Sequence, residues 1–441
     1  PQALADHATH LLTHLDHHPH QHPTHIAHTL TVSRHHFHHR AVITAATNAD
    51  RRAALAALTA GRPHPQLHTG IATTTPTLAM LFSGQGAQHP RMGVELYHAY
   101  PTFAAALDDA CAALDPHLDK PLRDLLFASP DSDHARLLND TRYTQPALFA
   151  LHVALYRLLT SVGPIPAHLA GHSIGELAVA HVAAILSLDD AATLVAARAR
   201  LMHQHAVPGG AMIAIAATAD EITTALQSLD PTGDHLAIAA VNSPTNTVIS
   251  GEATLAHTLA DHFRGQGRKT RVLTVSHAFH SPHMRPVLDP FRAVAATLTY
   301  HSPTIPIVST LTGTLADPHH ITTPDYWVDH IHSPVRYLDA IDTLTANHTT
   351  TYLELGPDPT LTSLTTDIHA DTTAPQPTIL PTLRPRTPEP DSLLTTLAKL
   401  HTTGHPIGFH HLRPNPAHTP RTELPTYPFQ HHSYWLTPTP S

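Results

Sequence analysis

The sequence predicts an α/β protein in which a large subdomain with a mostly parallel sheet carries an inserted, ferredoxin-like small subdomain, and a small α/β unit precedes both. Three observations support this. From Leu78 onward, short apolar runs alternate with amphipathic helical stretches, the rhythm of a parallel sheet with helices on both faces. Between Gly209 and Ser276 the order becomes β-α-β-β-α-β, the split βαβ plan. Gly171-His172-Ser173-Ile174-Gly175 lies where an apolar run meets a helical one, a strand-turn-helix junction that presents a side chain at its tip.

Taken in chain order, residues 3–15 have helical periodicity and RAVITAA (40–46) reads as a short strand. Asn48 is the expected cap of a helix over 53–60, stopped by Gly61 and Pro63. The Thr- and Pro-rich stretch 69–77 marks a boundary. LAMLFSG then opens the large unit, followed by helices at 101–114 and 145–159, a strand at 168–172 and helices at 175–186 and 189–203. In the small subdomain, strands are expected at 211–217, 235–241, 246–250 and 270–275, with helices at 220–229 and 253–266 and a turn at 242–245. The large sheet resumes at 305–310 and 351–355. A Pro-rich stretch (374–390), a last helix (392–401) and a tail ending in YPFQHHSYWL (427–436) complete the chain. The resulting domains are 1–75, 76–402 (with 209–276 as the small subdomain) and 403–441.

Composition excludes several classes. At 441 residues, more than one core is expected, and 41% hydrophobic content is enough to build them. No apolar run approaches the ~20 residues of a membrane-spanning helix. The formal charge of −9 argues against a nucleic-acid partner. One cysteine, Cys111, leaves neither an internal disulfide nor a Cys-based metal site. A cytoplasmic protein without membrane association is therefore expected. Pro1 in place of Met suggests a piece of a longer polypeptide. The 45 histidines are spread along the whole chain, which fits compositional bias better than a metal site.

Ser173, at the tip of the G-x-S-x-G turn, is the candidate nucleophile. The helix that follows offers the unpaired N–H of Ile174 to an anionic intermediate. Gly84-Gln85-Gly86-Ala87-Gln88 follows LAMLFS but lacks the Lys and spacing of a phosphate-binding P-loop. Its better use is a second N–H, from Gln85, for the same oxyanion. A serine nucleophile needs a base, and the residues alone do not choose among His172, His277, His280 and His283.

FSGQGAQ (82–88), RYTQPALFA (142–150), GHSIGE (171–176), ARARLM (197–202), VNSPTNTVISG (241–251) and HAFHSPHM (277–284) together resemble acyltransferase domains of modular type I polyketide synthases, relatives of malonyl-CoA:acyl-carrier-protein transacylases. Residues 1–75 look like the linker between ketosynthase and acyltransferase, and LPTYPFQHHSYWL (424–436) like the post-acyltransferase linker. The resemblance implies a hydrolase-like large subdomain. It makes Ser173 the nucleophile and His280 the base, oriented by a main-chain carbonyl near Ser333 instead of an acidic residue. Arg198 would pair with the free carboxylate of a malonyl group, a use suited to a planar guanidinium. Gln145 and Asn242 match site-lining positions, although Asn242 also reads as a turn residue.

The implied reaction is ping-pong transfer from malonyl-CoA, through malonyl-Ser173, to the phosphopantetheine thiol of a separate acyl carrier protein. No metal or bound cofactor is required, and the expected partners are that carrier protein and the neighbouring ketosynthase and other synthase domains. His277 and Phe279, in HAFH, match the malonyl-type version of a segment that resembles YASH in methylmalonyl-selective relatives. A serine esterase shares the elbow but predicts an acidic third triad member and has no use for Arg198. Asp391-Ser392-Leu393, which looks like a phosphopantetheine attachment motif, is read instead as the N-cap of the last helix.

Overall fold

The strands are β1 (His39–Ile43), β2 (Leu67–Ile71), β3 (Leu78–Phe82), β4 (His168–Gly171), β5 (Gly210–Ile215), β6 (Leu236–Ser243), β7 (Asn246–Glu252), β8 (Thr270–Val272), β9 (Ile307–Val308), β10 (Thr351–Leu355) and β11 (Thr378–Pro381). They are taken from a computed structural model that describes residues 1–73, 76–370, 373, 375–412 and 419–430. Contacts divide the chain into one unit over 76–393 and another formed by 1–75 with 394–441, the cut falling inside the last helix.

In the first unit five parallel strands run in the order β11-β10-β3-β4-β9. Central β3, LAMLF, is buried at every position, as a continuous apolar run flanked by strands and covered on both faces requires. Its register sets Phe82 opposite both Gly171 and Leu355. The Gln85 loop and the Ser173 turn therefore leave the same C-terminal edge of the sheet, where open α/β sheets bind ligands.

The small subdomain is a four-stranded antiparallel sheet in the order β6-β7-β5-β8. Helices Ala219–Leu229 and Ala253–Gly265 pack on it over a core that includes Ile213, Ile222, Ile249 and Phe263. This is the expected ferredoxin-like arrangement. The other unit holds the antiparallel pair β1–β2 and helices Gln2–His17, Pro23–Val32 and Asn48–Thr59, with Ala8, Leu11, Leu55 and Leu424 at its core.

Several local expectations are corrected. Helix Pro23–Val32 lies hidden in a His- and Thr-rich stretch, yet Ile26 and Leu30 supply the apolar stripe that packs on that core. Thr47, not Asn48, caps the next helix by accepting from Asp50 N–H at 3.1 Å. β2 occupies part of the presumed boundary, and β11 part of the Pro-rich stretch, where Pro381 is tolerated at the end of an edge strand. The helix expected at 175–186 ends at Val182.

The last helix begins at Glu389, so Asp391 and Ser392 lie inside its first turn and do not cap it. The Ser392 hydroxyl donates instead to the Thr382 carbonyl at 3.0 Å. Asn242 is a strand residue, because β6 runs through Ser243 before turning. Much of the tail motif, residues 431–436, lies outside the described residues. Among the described residues no helix is long and apolar enough to cross a membrane, and no cluster of His, Cys, Asp and Glu could hold a metal ion.

Candidate active site

The turn after β4 is as tight as the glycines in it allow. A Cβ on Gly171 would lie 2.3 Å from the Glu176 nitrogen, and one on Gly175 would lie 2.2 Å from the Phe82 carbonyl oxygen. Side chains are thus excluded at both positions, letting the helix Ile174–Val182 start hard against the sheet. Ser173 holds φ +52°, ψ −118°, a conformation that costs a non-glycine residue ~1–3 kcal/mol. Gly175 N–H donates to the His172 carbonyl and Glu176 N–H to that of Ser173. Ile174 opens the helix, so its N–H has no acceptor within it.

Ser173 Oγ lies 2.8 Å from His280 Nε2, and His280 Nδ1 lies 2.8 Å from the Ser333 carbonyl oxygen. A carbonyl can only accept, so Nδ1 carries the proton and Nε2 is left as an acceptor facing the hydroxyl. His280 also has positive φ, +54°. Burial, then the Arg198 and His330 charges, hold its imidazole well below the usual histidine range. The imidazole is neutral at neutral pH.

Arg198, on helix Leu188–His205, is buried. Its Nη1 donates to Gln145 Oε1 at 2.6 Å and its Nη2 to Ser173 Oγ at 3.3 Å, while Nε is buried without a partner. Gln145 comes from helix Thr141–Ser161, and its amide donates to Thr141 Oγ1 at 2.9 Å. The Thr141 hydroxyl faces Gln85 Oε1 at 3.4 Å, joining this cluster to the Gly84–Gly86 loop. Burial alone, with no anion beside it, lowers the guanidinium to about 9. The site therefore holds a buried cation without a counter-charge, adjacent to a serine hydroxyl.

Phe279 is buried, with the half-buried His277 ring 5.9 Å away. His277 Nδ1 bonds Ser276 Oγ, and its ring meets His203 edge-on. Asn242 Oδ1 accepts from His172 Nε2 at 2.9 Å, so its carbonyl side braces the elbow. His283 bonds the Val207 carbonyl through Nδ1. Of the four candidate histidines, the geometry brings only His280 against Ser173. Sequence reasoning missed Glu176, Thr310 and Tyr326, which meet beneath the elbow. The available signal was a lone carboxylate within IGELAVAHV, whose other residues are apolar apart from His181.

The comparisons agree with this architecture. Residues 79–406 match the family model described as acyl transferase domain, and residues 1–55 match one described as CurL-like, PKS C-terminal. The spectinabilin polyketide synthase system protein NorB of Streptomyces orinoci is 42% identical over 98% of this chain, which spans only 20% of that protein. The crystal structure of the acyltransferase domain from the second module of the salinomycin polyketide synthase is 43% identical, with a TM-score of 0.78 over 93% of each chain. The malonyl-CoA:acyl carrier protein transacylase FabD of Xanthomonas oryzae pv. oryzae is 31% identical, with a TM-score of 0.63 over 71% of this chain and 96% of that one. A serine–histidine pair at a glycine-bounded elbow, the paired α/β and ferredoxin-like subdomains and a family match over most of the sequence lead to one assignment: the chain belongs to the acyl transferase domains of modular type I polyketide synthases.

Proposed function

We propose that this domain transfers malonyl extender units from malonyl-CoA to the phosphopantetheine thiol of an acyl carrier protein within a larger synthase. His280 Nε2 takes the Ser173 proton as Oγ attacks the thioester carbonyl, and the N–H groups of Gln85 and Ile174 receive the oxyanion. The tetrahedral intermediate collapses with loss of the CoA thiolate, which takes the proton from His280, leaving malonyl-Ser173. The carrier thiol then repeats these steps in reverse. Arg198 pairs with the distal carboxylate throughout, and Phe279 beside His277 fills the space that a C2 methyl would need. No metal or redox cofactor enters this scheme.

The observation that carries this reading is the buried Arg198 guanidinium, without a counter-charge, 3.3 Å from Ser173 Oγ. An esterase acting on neutral esters gains nothing from it. Incubation with equimolar malonyl- and methylmalonyl-CoA, followed by intact-protein mass measurement, tests the assignment. A malonyl adduct that is chased onto a carrier protein supports it. Equal loading of both substrates removes the malonyl preference, and loss of the adduct to water alone returns the esterase.

A further inference from the structure

Glu176 has no part in the scheme above, yet it is a fully buried carboxylate in the first turn of the helix that Ser173 caps. Its Oε2 accepts from Thr310 N–H at 3.0 Å and lies 2.5 Å from the Thr310 hydroxyl. Tyr326 Oη meets Oε1. The direction of this last bond follows from its neighbours. Ser309 Oγ accepts the N–H groups of Leu311 and Thr312, so its own proton goes to Tyr326 Oη at 2.6 Å, and the tyrosine proton goes to Glu176. The His330 ring faces the same carboxylate, with Nε2 3.5 Å from Oε2.

These partners belong to the parts that hold the base. Tyr326 and His330 lie on helix Pro324–His332, whose C-cap is Ser333, the residue whose carbonyl accepts from His280 Nδ1. Thr310 adds a second link. Its hydroxyl lies 2.8 Å from the Gly171 carbonyl of the elbow, and its own carbonyl accepts from Arg336 N–H, three residues beyond Ser333. The next strand edge is also tied in, since Val335 N–H donates to the Ala239 carbonyl of β6. One carboxylate thus joins the element that starts at the nucleophile to the element that ends at the base's orienting carbonyl.

We infer that Glu176 is a positioning residue for acyl transfer, its carboxylate bridging the Ser173 elbow to helix Pro324–His332 and so setting the Ser173–His280 spacing. This inference rests on the proposed roles of those two residues. Both carboxylate oxygens meet donors. A glutamine in the same place must turn its NH2 toward either Thr310 N–H or the tyrosine hydroxyl, opposing one donor or reversing the Ser309–Tyr326 chain. A displacement of ~1 Å between reacting groups costs on the order of 100-fold in rate.

The test compares Glu176→Gln, Tyr326→Phe and their combination with the unmodified domain. Rates are measured both for acylation by malonyl-CoA and for phosphonylation of Ser173 by a fluorophosphonate, which needs no acyl-CoA. Glu389→Gln is the control. That carboxylate accepts the Gly93, Glu95 and Leu96 N–H groups at a helix start and takes no part in the Ser173–His280 arrangement. Expected are kcat losses of roughly 10- to 100-fold in Glu176→Gln and Tyr326→Phe, with KM within about two-fold. Phosphonylation slows in parallel, and the double variant is no worse than the worse single one. Glu389→Gln lowers the unfolding midpoint and keeps kcat.

Glu176→Gln and Tyr326→Phe that merely lose stability, as the control does, while keeping kcat overturn the inference. If Glu176→Gln does not fold, Tyr326→Phe decides alone, and an unchanged kcat overturns it. An acyl adduct that persists in Ser173→Ala defeats the nucleophile assignment and this inference with it. Adduct loss in Ser173→Ala beside unchanged rates in the other variants defeats this inference only.

Discussion

Replacing Arg198 with Met should make the unliganded domain more stable and nearly useless toward malonyl-CoA. The side chain is 2% exposed, one of its nitrogens lacks a partner, and no anion offsets its burial. Burial lowers the guanidinium from its ordinary range to about 9, which corresponds to a burial cost on the order of 5 kcal/mol. Folded and unfolded forms are both protonated below about pH 9, so the cost is fully present at neutral pH. It fades only as the pH rises above about 9 toward the ordinary guanidinium range. Methionine relieves it but strips the donor from Gln145 Oε1, a loss of about 1–3 kcal/mol. A net gain of about 2–4 kcal/mol is expected, read from urea unfolding at pH 7.

The effect on activity runs the other way. Removing one partner of a buried charge pair costs about 2–5 kcal/mol, so kcat/KM for malonyl-CoA should fall roughly 30- to 5,000-fold. Acetyl-CoA carries no distal carboxylate and should lose far less. Competition between the two substrates, read by the mass of the acyl-enzyme, gives the ratio directly. An unchanged malonyl-to-acetyl preference, or a variant less stable than the parent, refutes the reasoning.

Further outcomes follow from the same geometry. Ser173→Ala should abolish the acyl adduct, and Ser173→Gly should be about 1 kcal/mol more stable than the alanine variant, because glycine accepts φ +52° without strain; denaturant midpoints compare the two. Since His280 titrates below the usual histidine range, the acid limb of kcat/KM should lie below pH 6.5. An acid limb above that value would contradict a buried, neutral base. The same depressed value means that the unfolded state takes up the proton first, so His280's contribution to stability is lost as the pH falls from 6.5 through its folded value. Phe279→Ser combined with His277→Tyr should narrow the proposed malonyl bias, expected at roughly 10- to 200-fold, measured by competitive loading with methylmalonyl-CoA.

Much of the fold was legible because its signals are local. The buried strand LAMLF and the β-α-β-β-α-β order each follow from hydrophobic period and turn residues within a few dozen positions. Elements concealed by composition were not legible. Helix Pro23–Val32 sits among histidines and threonines, and β11 among prolines, so their apolar positions stand out only once a core exists for them to face. Capping was misjudged for a related reason. Thr47 and Asn48 are both acceptable caps, and only the three-dimensional path of the chain selects Thr47.

By itself the sequence determined the elbow. Gly171 and Gly175 flank Ser173 at a strand-helix junction, and that pattern requires no knowledge of distant residues. It could not choose the imidazole partner of Ser173 from residues alone, because Ser173 and His280 are 107 positions apart and three other histidines compete. Tertiary structure decided that pairing by fixing the Ser333 carbonyl behind one imidazole. It likewise turned Arg198 inward without a counter-charge, and gathered Glu176, Thr310 and Tyr326, from two helices and the turn after β9, beneath Ser173. Hydrogen bonds and desolvation act over a few ångströms in space, whereas sequence patterns report only neighbours along the chain.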